Sequence, residues 1–376
     1  MSDFDHLNMT VPLFYNGSVS TPTEVGPHNL SAVLDLYAPG DGSQWLRATI
    51  ATVYFAVSAV GLVGNAVVLR LLHASGGATK SAINLFVFNL AVTDLLFSAA
   101  MPLWAVDTAL DYRWPFGGCA CKVASFLTSL NLFASVFFLA AMSVTRYCSV
   151  ASALRPSGGF ASGWRRGSVA YLATALIWVG SVLAAAPRAA FAKVVQVSGD
   201  QVCLLLFPNG TYWLGLHHLL RVVAGFLIPY AVILLSYLLL LRFLCNHGNP
   251  GRGHGDLDRR RRRARARVSR SVAVVILAFC VCWLPNNVLT FWSLLVHLDA
   301  VEWSSAFYLA HTYAYPLASC LAQVNGCLNP VLYCLVRREH RRALRGLFCG
   351  ARLSAGTKAC LSVLGYSGGK SRDDPR

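Results

Sequence analysis

Five polar residues stand where polar groups are costly. Asp94 lies in the middle of one apolar run, Asn131 and Ser135 lie four apart in another, and Asn325 and Asn329 lie four apart in a third. At helical spacing each pair shares one face. One carboxylate with four neutral oxygen-bearing side chains offers hard ligands and a single charge, which suits sodium. A hydrogen-bonded network closed by water would need no ion, and spacing does not separate the two readings. Arg146 ends the run that carries Asn131 and is an isolated cation at its edge. Signs of enzyme chemistry are missing: there is no HExxH and no GxSxG, and His217-His218 have no acid or Cys at ligand spacing. The GxGxG at 251–255 follows no strand and sits beside an Arg run, so it reads as a flexible loop. The expectation is a protein that is not an enzyme.

The elements that must hold these residues are membrane spans. Of the 376 residues, 56% are hydrophobic and only 13% charged, against about 25% charged in an average soluble domain. Mean hydropathy is +0.53. A single soluble core cannot hide that much apolar surface, which excludes an ordinary cytosolic enzyme and a disordered chain. A span needs about 20 apolar residues. Seven such stretches are read at Leu46–Leu72, Ala82–Leu110, Cys121–Val150, Val169–Ala186, Trp213–Leu244, Val268–Val296 and Ser304–Leu335. The third and seventh are the most interrupted by polar residues. The runs are continuous rather than alternating, so a β-barrel is not expected. The fold class is therefore an all-α membrane protein, a seven-helix bundle over residues 46–335. The run at 336–348 (VRREHRRALRGLF) is too polar to span and reads as an amphipathic helix lying in the interface. A tail at 349–376 follows.

Charge sets the orientation. Arg259 to Arg263, then Arg265 and Arg267, lie between the fifth and sixth stretches with Arg270 at the start of the sixth, and Arg337, Arg338, Arg341, Arg342 and Arg345 lie just after the seventh. Residues 1–46 contain no Lys or Arg but carry five acids. The positive-inside rule puts the N-terminus outside and the C-terminus in the cytoplasm. The net charge of +16 is thus a topology signal, and no nucleic-acid partner is expected. The residues at 1–45 lack the basic start of a signal peptide and read as a disordered tail. Asn8, Asn16, Asn29 and Asn209 head Asn-X-Ser/Thr sequons, all on the outer side. Cys119, Cys121 and Cys203 are also outside, so one pair can form with one left over; a Cys121–Cys203 bridge would pin the loop over the bundle and stabilise it by roughly 2–4 kcal/mol. Cys349, after the interfacial run, is a candidate palmitoylation site. Prolines inside spans kink them, which suits a bundle with two packings.

Taken in order, the motifs resemble the rhodopsin-like (class A) G-protein-coupled receptors. They are Gly64-Asn65, Leu90-Ala91-Val92-Thr93-Asp94, Cys121, Thr145-Arg146-Tyr147, Trp178, Pro229, Tyr237, Phe279, Cys282-Trp283-Leu284-Pro285 and Asn329-Pro330-Val331-Leu332-Tyr333. The resemblance implies that Asp94, Asn131, Ser135, Asn325 and Asn329 form an allosteric sodium pocket. It implies that Arg146, with Tyr147, contacts the G protein. It makes Phe279 and Trp283 a rotamer-linked pair under the ligand, and Tyr237 and Tyr333 tyrosines that swing inward on activation. The acid usually found before this Arg is Thr145 here. Position 128 is Thr rather than the Asp of amine receptors, and position 323 is Gln rather than the Lys of opsins.

A narrower resemblance, to the relaxin-3 receptors, covers about residues 46–348. It rests on Trp104-Ala105-Val106-Asp107, Ala109-Leu110-Asp111-Tyr112-Arg113-Trp114-Pro115-Phe116-Gly117, Tyr212-Trp213-Leu214-Gly215-Leu216 and the stretch from Cys327 to Glu339, and on the same Thr-Arg-Tyr variant. It implies a plasma-membrane receptor for a basic insulin/relaxin-family peptide, acting through an inhibitory G protein to lower cyclic AMP, with arrestin as a second inner partner. Asp107 and Asp111 are four apart, on one face if helical, and suit two Arg side chains one turn apart. Arg221 is matched to the hormone's C-terminal carboxylate and Trp104 to an aromatic ring. The competing readings are that Asp111 caps a helix or pairs with Arg113, and that Arg221 snorkels outward. Trp114 reads as a structural plug beneath Cys121–Cys203. Another peptide receptor of the angiotensin- or chemokine-like kind, and a non-signalling scavenger, are the alternatives.

Overall fold

The computed structural model describes residues 44–74, 81–154, 168–197, 200–207, 211–246, 277–296, 298, 300–302 and 304–336. Several expectations lie outside the described residues: nearly all of the N-terminal tail, the sequons at Asn8, Asn16, Asn29 and Asn209, the Arg block at 259–270, the interfacial run after Val336, and Cys349.

Among the described residues seven helices appear in chain order. α1 is Gln44–Ala74, α2 Ala82–Ala109, α3 Gly117–Leu154 and α4 Ser168–Phe191. α5 is a composite of Thr211–Val222, a π-helical turn at Val223–Leu227, and Ile228–Asn246. α6 is Leu277–Val296. α7 is built the same way as α5, from Ser305–Leu309, a π turn at Ala310–Ala314, and Tyr315–Val336. α1 to α6 are each long and apolar enough to cross a bilayer. In α7 the apolar run is broken by Gln323, Asn325 and Asn329, as the sequence indicates.

Local chemistry explains the ends. Ser81 begins α2 in an extended conformation, and its hydroxyl accepts from the Asn84 N–H; Ser304 does the same for α7 with Phe307. Each supplies an acceptor to an N–H that the helix leaves unmatched. α2 ends because Asp111 and Tyr112 take positive φ (63° and 61°), a conformation that cannot propagate a right-handed helix.

α3 is the hub. It packs on α2, α4, α5 and the outer hairpin. Two-thirds of its apolar window is buried, against 17% for α4, which leaves most of α4 facing lipid. α1 and α2 approach closely: a Cβ on Gly61 would fall 2.2 Å from Ser98 Oγ, and Ser58 donates to the Ser98 carbonyl at 2.7 Å. Any larger residue at 61 would push the Ser98 side chain aside. Asn65 then ties α1 to α7, donating to the Gly61 carbonyl at 2.9 Å and the Gly326 carbonyl at 3.3 Å.

One element goes beyond the all-α reading. β1 (Ala192–Val197) and β2 (Asp200–Leu205) form an antiparallel hairpin with Val194 opposite Cys203. The Cys121–Cys203 disulfide joins it to the start of α3, with Cα atoms 5.7 Å apart. Trp114 is fully buried beneath it. Its N–H donates to the Gln201 carbonyl at 2.7 Å and its indole to the Gly117 carbonyl at 2.9 Å. Cys119, the leftover cysteine, is exposed and unbridged.

Candidate functional site

At mid-bundle α2, α3 and α7 bring their polar residues onto Asp94, which is fully buried. Asn131 donates to Oδ1 at 2.8 Å and Ser135 to the same oxygen at 3.1 Å, while Asn329 donates to Oδ2 at 2.8 Å. Asn131 also donates to Ser135 at 3.1 Å. Asn325 is buried in α7, but its side chain makes no hydrogen bond among the described residues. The Asp94 carboxylate is thus held by neutral donors from two other helices, as a buried charge must be. Ser135 Oγ and the carboxylate also form an oxygen set that fits a small hard cation.

At the same level of α3 lies an aromatic stack. Phe226, Tyr230 and Phe279 are nearly parallel, with Phe226 and Phe279 centroids 5.8 Å apart, and Trp283 lies 6.4 Å from Phe279. They close around Leu132, Phe133 and Val136 of α3. Nearer the inner end, Tyr237 is buried against Ala140, Ile233 and Leu240, with Tyr147 packed beside it. Arg146 is half-buried at the same level. Thr145, which replaces the usual acid, turns its hydroxyl onto its own helix and donates to the Ala141 carbonyl at 2.7 Å. It therefore gives Arg146 no anionic partner. Tyr333 lies in α7, and its side chain falls outside the described residues.

At the outer end the expected acidic pair is rearranged. Asp107 and Asp111 do not share a helical face, because α2 stops at Ala109 and Asp111 lies in the left-handed turn. Asp107 points inward and is buried (7% exposed), without a hydrogen-bond partner for its carboxylate among the described residues. Asp111 is about half exposed and pairs with Arg47 of α1 at 3.0 Å, not with Arg113. Arg113 instead reaches Asp200 of the hairpin at 3.2 Å. Between the two acids, burial and then the nearby Asp107 charge push the Tyr112 hydroxyl up to about 12, so it stays neutral.

Trp104 donates its indole N–H to Thr128 at 3.0 Å and packs on Trp114 with centroids 5.3 Å apart. Arg221 does not snorkel outward. Its guanidinium turns into the bundle, donating to the Tyr315 hydroxyl at 3.2 Å and to the Asn286 side-chain oxygen Oδ1. Asn286 in turn donates to Ser319 at 2.9 Å. Sequence reading missed Tyr315, Asn286 and Thr128 as partners of the mouth. Asn286 follows the Trp283-Leu284-Pro285 motif directly, and Tyr315 lies four residues after His311, on which it stacks at 5.0 Å. Those spacings were the available signal.

Residues 64–333 match the family model described as 7 transmembrane receptor (rhodopsin family). The chain belongs to that family. The receptor is 46% identical over 324 residues to Relaxin-3 receptor 1 of Homo sapiens, covering 80% of this chain and 69% of that protein. It is 44% identical over 309 residues to Relaxin-3 receptor 2 of Homo sapiens, covering 82% and 78%. It is 31% identical over 301 residues to Type-1 angiotensin II receptor A of Xenopus laevis, covering 79% and 78%. All three relatives are receptors rather than enzymes. The motif set that resembles class A receptors, narrowing to the relaxin-3 type, is matched on both levels. The receptor is a G-protein-coupled, multi-pass membrane protein with the Cys121–Cys203 bridge in place.

Proposed function

We propose that the receptor binds a basic peptide hormone of the insulin/relaxin family at its outer face. It passes the signal through an inhibitory G protein to lower cyclic AMP, with arrestin as the second inner partner. The observation that carries the reading is the buried Asp107 carboxylate at the outer end of α2, which has no hydrogen-bond partner among the described residues. A buried acid of this kind is stabilised by an incoming cation, and a hormone Arg can engage it through charge-assisted hydrogen bonds. Arg221 supplies the opposite sign on α5, where a carboxylate of the hormone would sit. Trp104, held by Thr128 and packed on Trp114, lies three residues before Asp107 on α2. The similarity to relaxin-3 receptors supports the same class of hormone.

Binding outside shifts a two-state bundle. In that cycle Phe279 and Trp283 relay the change, Tyr237 and Tyr333 rearrange, and Arg146 with Tyr147 meets the G protein. The Asp94 centre takes sodium in the resting state. The receptor sits in the plasma membrane with its N-terminus outside, glycosylated at Asn8, Asn16, Asn29 and Asn209, and palmitoylated at Cys349.

The test is cyclic AMP in forskolin-treated cells expressing the receptor, with relaxin-3 added. A dose-dependent fall, lost in Asp107→Ala at equal surface expression, supports the proposal. No fall and no bound radiolabelled hormone in the parent would overturn the ligand assignment. Binding without a fall would overturn the coupling.

A further inference from the structure

The ion pair between the outer ends of α1 and α2 has two unequally placed halves. Arg47 lies in the first turn of α1, and its side chain is 14% exposed. Asp111 lies in the left-handed turn after α2, and its side chain is 49% exposed. The cation is set behind the carboxylate, and the other side of the carboxylate is open to solvent. Arg47 Nη1 stands 3.0 Å from Asp111 Oδ1, yet it is buried and makes no hydrogen bond. The contact is a charge pair without the aligned, forked hydrogen bonds that make an Arg–carboxylate contact strong. Tyr112 ties the pair to the rest of the mouth, because its hydroxyl is within electrostatic range of Asp107, Arg47 and Asp111 together.

The pair could simply brace the turn. Asp111 and Tyr112 have positive φ without being glycine, and such backbone persists only where its surroundings hold it. The turn has its own ties, however. The Asp111 N–H donates to the Thr108 carbonyl at 3.3 Å and the Tyr112 N–H to the Asp107 carbonyl at 2.7 Å. What Arg47 adds is charge. While it lies against the carboxylate, a second cation approaching from outside gains less attraction and meets repulsion from the guanidinium behind.

We infer that Arg47 is a tethered competitor: it occupies Asp111 while no ligand is bound, and a cationic side chain of the ligand must displace it to use that carboxylate. The rim then selects for a guanidinium over an ammonium. A guanidinium can place two N–H groups on the two carboxylate oxygens, the aligned contact that Arg47 does not make. The inference rests on the proposed function, since it sets the affinity of the same mouth, and it gives α1 a part in choosing the ligand.

The test uses the full-length receptor in nanodiscs with two arms. In the first, without hormone, carboxylates are coupled to glycine ethyl ester by a water-soluble carbodiimide and read by mass spectrometry. Asp111 labelling is taken relative to Asp200, which pairs with Arg113 instead. It should rise about threefold in Arg47→Gln, and equally in Arg47→Met, which keeps the apolar stem and serves as a second neutral variant. In the second arm, relaxin-3 binding is measured by competition. Arg47→Gln should bind about threefold to fivefold more tightly than the parent, the worth of a half-exposed ion pair. In an Asp111→Asn background the same change should give less than about twofold. Loss of a brace would move affinity the other way. Unchanged or weaker binding in both neutral variants, or Asp111 labelling equal to the parent's, overturns the inference. If relaxin-3 does not bind the parent, the hormone reading fails and the labelling decides alone: a rise upholds the hold of Arg47 on Asp111, and no rise overturns it.

Discussion

Asp107 and Asp111 look equivalent as residues in a sequence, and burial separates them. Asp107 is buried with no partner among the described residues; Asp111 is about half exposed and already holds Arg47. Exposed ion pairs are worth roughly 0–1 kcal/mol, so a contact to Asp111 has little left to give. Asp107→Asn is expected to weaken hormone binding by about tenfold or more, and Asp111→Asn by less than about fivefold, in radioligand competition. Trp114 supports the same mouth without touching ligand. Trp114→Ala empties a fully buried site under the disulfide and should destabilise the receptor by roughly 3–5 kcal/mol, seen as a lowered melting temperature and reduced surface expression. The polar residues at mid-bundle were legible because charge and amides in an apolar run are rare. Their pairing was not, because hydrogen bonds between helices depend on how the helices turn. Asn325 and Asn329 look alike by spacing, yet only Asn329 reaches Asp94.

At the level of elements, the spans were readable from length and apolar content, and their interruptions were not. The left-handed turn at Asp111-Tyr112 is unsignalled, since neither residue is glycine. The hairpin at 192–205 was hidden because short Val-rich strands look like loop between two long apolar helices. The π turn in α5 begins two residues after Arg221 and carries one residue more than a regular helix would. Inserting one alanine into the regular winding just beyond Ile228 should rotate the outer segment by about 100° relative to the inner one. Arg221 would then leave Tyr315 and Asn286. The expected result is lost hormone affinity in a receptor that still reaches the surface. Cys203→Ser should free the hairpin from α3 and lower stability by roughly 2–4 kcal/mol, with a matching fall in binding.

For the molecule as a whole, the proposed function gives the outer and inner halves separable duties, joined through the Asp94 centre and the Phe279–Trp283 stack. Arg146→Ala is expected to leave hormone affinity within about twofold, in the absence of G protein, while abolishing the cyclic AMP response, because it lies on the far side of the bundle from the mouth. Asp94→Asn should remove any effect of sodium on agonist affinity, read by competition binding with sodium or choline in the buffer. The family and its topology could be read from the sequence because seven spans and their motifs are strung along the chain in order. The sign pattern of the mouth could not, since it sets residues 47, 107, 111 and 221 by how α1, α2 and α5 turn their side chains.

The π turns at Val223–Leu227 and Ala310–Ala314 bear on time as well as shape. Each replaces tight i to i−4 bonds with wider ones in the outer half of its helix. Amide protons in the outer parts of α5 and α7 should therefore exchange with deuterium sooner than those beyond Ile228 and Tyr315. The receptor's clock for admitting a ligand would then be the local opening of these two helix segments.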